Sequence, residues 1–161
     1  MAKSKEEKTN VMRTLEQKKI PYTAHSYDPE GGIDGVSVAQ TLGQPPEQVF
    51  KTLVTKGASG AYYVFDIPVA ENLDLKKAAK AVGEKSVAML PQKELLPLTG
   101  YVHGGCSPVG MKKQFPTVFH ETAESLAQVA VSAGKIGYQV VCDPKVLMGL
   151  LRAGTADIIV E

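Results

Sequence analysis

From residue 104 to residue 110 the chain reads Gly-Gly-Cys-Ser-Pro-Val-Gly, placing three glycines and a proline in seven positions. Regular helices and long strands do not run through such a stretch, so the chain has to turn here. The apolar-aromatic run just before it, Tyr101-Val102, reads as the end of a strand. Glycine admits positive φ and removes the Cβ that would keep a ligand away. Pro108 fixes its own φ and biases Ser107 toward an extended backbone. A strand feeding such a loop can aim several peptide N–H groups at one anion or carbonyl oxygen. A tight connection between strands accounts for the same pattern. The loop contains no G-x-G-x-x-G and no G-K-[ST], so it is neither the dinucleotide nor the phosphate-loop fingerprint.

A second constraint is Val49-Phe-Lys-Thr-Leu-Val-Thr55, rich in strand-forming residues. Period two puts Val49, Lys51, Leu53 and Thr55 on one face and Phe50, Thr52 and Val54 on the other. Lys51 thus shares a face with apolar neighbours. Either it runs its aliphatic stem along that face to reach water, or it is held to meet an anion. Gly57-Ala-Ser-Gly60 has hairpin composition, with residues 61–68 as the returning strand.

Around these two stretches the pattern predicts short elements. Helices are expected over 5–18, with Val11, Met12 and Leu15 on one face, and over 37–42 with Ser37 as cap. Further helices are expected over 74–82, 91–96 with Pro91 at its first position, 121–128, and 144–152 with Asp143 as cap and Gly154 at its end. Strands are expected over 22–27, 87–90, 117–120, 129–132, 138–142 and 156–160, and a loop over 28–35. Many short strands without regular βαβ repeats predict one α/β domain over residues 1–161, built on a mixed, curled sheet.

The chain has 161 residues, enough to bury about two-thirds of the surface its unfolded form exposes. Eighteen basic against seventeen acidic side chains leave a net charge of +1, far from the basic excess of a DNA-binding domain. A local patch touching one RNA end stays open; Lys76, Lys77, Lys80 and Lys85 make 74–85 the most basic segment, by default a solvated face. Two cysteines, Cys106 and Cys142, are too few for a disulfide framework and suit a reducing cytosol. The charged start of the chain does not read as a secretion signal, and no apolar run approaches the ~18 residues of a membrane span.

The cysteines and histidines suggest two chemistries. A cysteine hydrolase would use Cys106 with His103 or His120 as base, but on an extended strand positions 103 and 106 face opposite ways. A zinc site from His103, Cys106, His120 and Cys142 would have one tight pair and two distant ligands. His25 reads as structural or exposed. No G-x-S-x-G, H-E-x-x-H or paired-carboxylate pattern occurs. The chain therefore shows no evident nucleophile and base of its own.

Taken in order, His25-Ser-Tyr27, Val49-Phe-Lys-Thr-Leu53, Asp74-Leu-Lys-Lys-Ala78, Gly100-Tyr-Val-His-Gly-Gly-Cys-Ser-Pro-Val-Gly110 with Lys112-Lys113, and Val131-Ser-Ala-Gly-Lys135 span nearly the whole chain. In this order and spacing they resemble the YbaK/EbsC branch of the aminoacyl-tRNA editing domains. The resemblance implies a mostly antiparallel, barrel-like mixed sheet surrounded by short helices. It implies a trans-acting deacylase for cysteine mis-attached to proline tRNA, in which the cysteinyl thiol attacks its own ester. The implied catalytic residues are Lys51, Gly104 and Gly105. The implied substrate-binding residues are Tyr27, Thr52, Ser107, Pro108, Ser132, Gly134 and Gln139. No cofactor or metal is implied. The implied partner is misacylated tRNA, recognised at its terminal adenosine and aminoacyl group, with prolyl-tRNA synthetase as a candidate for delivering it; neither DNA nor membrane is implied, and the location is cytoplasmic. The chain departs from the family pattern at Gln139, where an aspartate is expected. It departs also at the short loop over 28–35, which lacks an aromatic near Asp34, and at Cys106, where relatives carry an aliphatic residue. The alternatives are a non-catalytic tRNA-end or nucleotide-binding protein and the cysteine hydrolase.

Overall fold

The computed structural model of the protein describes residues 8–161. The Thr9 side chain accepts a hydrogen bond from the Met12 N–H and starts helix α1 (Asn10–Gln17), which buries Val11, Met12 and Leu15. With Thr9 as cap the helix begins at Asn10, later than expected, and residues 5–7 lie outside the described ones. Strand β1 (Thr23–Ser26) follows. The cap of α2 (Gly35–Leu42) is Asp34 and not Ser37, since the Asp34 carboxylate accepts the Ser37 N–H at 3.2 Å. Gly43 then ends α2 in the left-handed region, as the glycine suggests.

Strands β2 (Phe50–Gly57) and β3 (Tyr62–Pro68) form the expected hairpin. Asp74 accepts from the N–H groups of Lys76 and Lys77 to open α3 (Leu75–Val82), and Gly83 closes it. After β4 (Val87–Met89), α4 (Gln92–Thr99) runs beyond the expected residue 96, with Pro91 as its N-cap and Pro97 inside it. No strand forms at Tyr101-Val102. Strand β5 (Thr117–His120) matches its expectation; the helix expected over 121–128 is a 3-10 turn at Glu121–Ser125. Strands β6 (Val129–Ser132) and β7 (Tyr138–Cys142) have the expected bounds. Asp143 caps α5 (Pro144–Leu151), which ends on Arg152 at φ +54°, while Gly154 opens β8 (Gly154–Ala156). The strand expected over 156–160 is reduced to β8 and one isolated bridge, Leu73 to Ile159.

The strands make a five-stranded sheet, β4-β2-β3-β5-β8, and a three-stranded sheet, β1-β7-β6. Pairings are antiparallel except β3 with β5 and β5 with β8. This is the mixed, mostly antiparallel arrangement expected. The two sheets meet at a bridge between Val49 and Ala130, and among the described residues they do not close into a barrel.

One face of the larger sheet carries Phe50, Val54, Val64 and Phe119 into the main core, with Val11 and Leu15 of α1 and Leu147 of α5. The other carries Phe65, Ile67 and Val118 against Ala78 and Ala79 of α3. Period two thus sorts the strands as the alternation requires. The main-core face has one break. Thr52 and Asp66 stand opposite each other between the Phe50–Pro68 and Val54–Val64 pairs.

Candidate active site

The two sheets, α2 and the glycine loop enclose a cavity of about 480 Å³. Its wall includes Lys51 and Thr52 from β2, His103, Gly104 and Cys106 from the glycine loop, Ser132 from β6, Tyr138 and Gln139 from β7, and Tyr27 after β1. The alternation places Lys51 and Thr52 on opposite faces, yet both reach the cavity because it wraps the end of β2 near the bridge to β6. Six of the residues implied by the resemblance, Tyr27, Lys51, Thr52, Gly104, Ser132 and Gln139, therefore share one wall. Gly105, Ser107, Pro108 and Gly134 do not line it.

These four shape the wall from behind. The Gly105 N–H donates to the Val102 carbonyl at 2.9 Å, leaving Gly104 as the glycine of the pair that lines the cavity. Gly104 sits at φ +89°, and a Cβ there would lie 2.8 Å from Ile33 Cδ1. Ser107 is fully buried, its Oγ accepting the Val109 N–H at 3.2 Å. Gly134, at φ +90°, lets the loop after β6 close on Tyr101, whose Cε1 would be 2.9 Å from an added Cβ. Tyr101 is thus no strand residue but an inward anchor: its hydroxyl donates to the Val109 carbonyl at 2.6 Å and clamps the two ends of the glycine loop. Tyr101→Phe leaves that buried carbonyl unpaired and is expected to lower unfolding free energy by about 1–3 kcal/mol in urea titration.

Electrostatics separate the polar residues further. Burial pushes the Lys51 ammonium below its ordinary pKa, and the Glu71 carboxylate pulls it back up. Burial, with the nearby Asp66 charge, pushes the Cys106 thiol up to about 12. A thiol so raised is not a thiolate at neutral pH, which removes the nucleophile of a cysteine hydrolase. His120 is not near to serve it either: it lines a second cavity, and its Nδ1 accepts the Ile158 N–H at 3.3 Å. Cys142 packs in the main core, so His103, Cys106, His120 and Cys142 do not gather into a zinc site.

Gln139 is almost fully buried and pairs with Gln44 through both ends of its amide: Gln44 Nε2 donates to Gln139 Oε1 at 2.7 Å and Gln139 Nε2 donates to Gln44 Oε1 at 2.9 Å. An aspartate there could not make both bonds, since an ionised carboxylate only accepts. Ser132 Oγ accepts the Gly134 N–H at 3.1 Å, which leaves its hydroxyl hydrogen to be donated elsewhere.

A further polar residue, absent from the sequence-derived set, lies at the site. Asp66 is fully buried beneath the cavity wall, and its Oδ1 accepts the Thr52 hydroxyl at 2.5 Å. Its Oδ2 has no partner among the described residues. Burial pushes its pKa up to about 7, against the pull of the Thr52 hydrogen bond. The signal was present: an acid inside Tyr-Tyr-Val-Phe-Asp-Ile-Pro, an otherwise apolar strand.

Comparison with known proteins identifies the family and the fold. The family model of the aminoacyl-tRNA editing domain matches residues 34–150. A protein of Enterococcus faecalis, EbsC, named for Cys-tRNA(Pro)/Cys-tRNA(Cys) deacylase activity, is 46% identical over 160 residues, covering 98% of each chain. A crystal structure described as a trans-editing enzyme for prolyl tRNA synthetase is 27% identical and superposes with a TM-score of 0.82 over 94% of this chain and 95% of that one. A hypothetical protein at 21% identity reaches a TM-score of 0.85 over 93% of this chain and 99% of its own, a likeness of fold.

Proposed function

The chain belongs to the aminoacyl-tRNA editing domain family, and on that footing we propose that it is a trans-acting deacylase that clears misacylated Cys-tRNA(Pro), using the substrate's own thiol. The observation that carries this reading is the cavity wall itself. It gathers a lysine, a glycine-loop backbone and hydroxyls, while its cysteine is held protonated. A wall without a nucleophile suits a substrate that brings one.

In this reading the cysteinyl sulfur attacks its own ester carbonyl, a carbon–sulfur bond forms, the ester carbon–oxygen bond breaks, and a thiolactone and free tRNA leave. Intramolecular attack gains about 7–11 kcal/mol from proximity when the groups are well oriented. The protein's share is to fold the cysteinyl group back and stabilise the developing oxyanion. The Gly104 peptide N–H and the Ser132 hydroxyl are the donors assigned to that oxygen. Lys51 anchors the terminal phosphate or ribose. Tyr27 flanks the mouth, and Gln139, locked to Gln44, serves as a shaped wall. Gly105, Ser107, Pro108 and Gly134 act by holding the loops. The domain is taken to run over 1–161, supported by the bridge that joins the two sheets.

Prolyl-tRNA synthetase is the proposed delivery partner, because a net charge of +1 offers little long-range attraction to tRNA. No helix among the described residues is long and apolar enough to cross a membrane. A cytoplasmic location follows from the proposed substrate.

The test is deacylation by the purified protein of Cys-tRNA(Pro), Ala-tRNA(Pro) and correctly charged Pro-tRNA(Pro). Rapid loss of the cysteinyl ester alone is expected. Preference for the alanyl ester would replace the thiol with water, and hydrolysis of none would leave a tRNA-end binding protein. Cys106→Ser is expected to keep turnover within about threefold of wild type, because a protonated thiol contributes no nucleophile; loss of activity in that variant would restore the cysteine hydrolase.

A further inference from the structure

We propose that Asp66, acting through the Thr52 hydroxyl, accepts the proton that the attacking substrate thiol must lose. The inference rests on the thiol-assisted reading above and supplies the base that reading lacks.

The geometry is a two-step path. Thr52 lines the cavity, and its Oγ1 donates to Asp66 Oδ1 at 2.5 Å. With its one hydrogen committed to the carboxylate, Oγ1 presents only lone pairs to the cavity. It can therefore accept the S–H proton of a cysteinyl group while passing its own hydrogen to Oδ1. As the ester bond breaks, the proton returns by the same path to the leaving ribose oxygen. Nothing is oxidised or reduced, and the Asp66–Thr52 pair ends as it began. Asp66 touches no substrate atom; it is the positioning residue and proton store behind Thr52.

Two independent observations favour a functional over a structural role. The strand faces its apolar core on both sides of this pair, with Phe50 and Val54 flanking Thr52 and Val64 flanking Asp66, so packing alone would favour an apolar pair. And Asp66 Oδ2 is buried with no partner among the described residues, an arrangement that costs stability without return unless the carboxyl has work to do. Apart from the Thr52 hydroxyl on β2, the titratable group that senses Asp66 is Cys106 of the glycine loop, which stays protonated. The neighbour paired with Asp66 on β5 is Phe119, which carries no charge. With a pKa pushed up to about 7, Asp66 is matched to shuttling a proton at neutral pH.

The experiment is single-turnover deacylation of Cys-tRNA(Pro) across pH 5.5–9 by the wild type, Asp66→Asn and Thr52→Val, with thiolactone followed as product. Wild-type rates should fall as pH drops through about 7, where Asp66 takes up its proton. Asp66→Asn should be slower by about 100-fold at neutral pH and should lose that inflection, keeping only the titration of the substrate thiol near ~8.5. Thr52→Val breaks the path with Asp66 in place and should lose the same inflection. If both variants keep the inflection near 7, the relay is overturned while the thiol-assisted reading stands. If the wild type yields no thiolactone, that reading fails and the relay with it. Melting curves for each variant separate loss of fold from loss of the relay.

Discussion

Lys51→Ala is expected to lower kcat/KM for Cys-tRNA(Pro) by about 100-fold or more with no loss of thermal stability. A charge-assisted hydrogen bond to a phosphate or ribose oxygen contributes about 1.5–3 kcal/mol, and here it also sets where the ester lies against the Gly104 and Ser132 donors. Misplacing the ester removes the advantage of intramolecular attack, so the loss should fall on single-turnover rate as well as on binding. Stability should hold because the ammonium is half-buried and destabilised by that burial, with the Glu71 carboxylate acting against it to favour its charge. Removing it relieves desolvation and breaks no side-chain hydrogen bond among the described residues. Steady-state kinetics beside a thermal melt give both readouts. Turnover like the wild type's would remove Lys51 from the site.

Asp66→Val should make the protein more stable at pH 8 and much less so, relative to wild type, at pH 4. Asp66 has its folded pKa raised from 3.8 to about 7, so between those values the folded chain holds a proton that the unfolded chain has released. Stability must then fall as pH rises through that window and level off above about 7. The span corresponds to an effect on the order of 4 kcal/mol, carried by one carboxyl group. Valine at position 66 has no proton to lose and fits beside Val64 on the same apolar face. Urea unfolding of both proteins at pH 4, 6 and 8 would show the gap opening with pH. Parallel profiles would mean that Asp66 is hydrated or paired in solution. The variant should at the same time be a poorer catalyst, the exchange of stability for activity expected where a buried acid is kept for its chemistry.

Local structure was legible wherever a few adjacent residues decide it. The cap at Asp143 and the bounds of β5, β6 and β7 follow from side chains that bond their own backbone or alternate along it. The misreadings have the same origin. Asp34 captured the Ser37 N–H before Ser37 could cap, and the 121–128 stretch stopped after a 3-10 turn. Tyr101 looked like a strand residue by composition, while its hydroxyl reaches the Val109 carbonyl eight residues on.

The sequence by itself determined most of the strands and helices, the glycine loop, the family, and six of the residues that share the cavity wall. Only the tertiary structure decided which loop residues face the cavity and which brace it, that Gln139 is bound to Gln44 ninety-five positions away, and that Asp66 carries a raised pKa. Hydrogen bonds to near neighbours and side-chain alternation are set within a few residues. Burial is not: how far a carboxyl or thiol is removed from water depends on chains that pass over it from elsewhere in the sequence, and that removal is what gives Asp66 and Cys106 their chemistry.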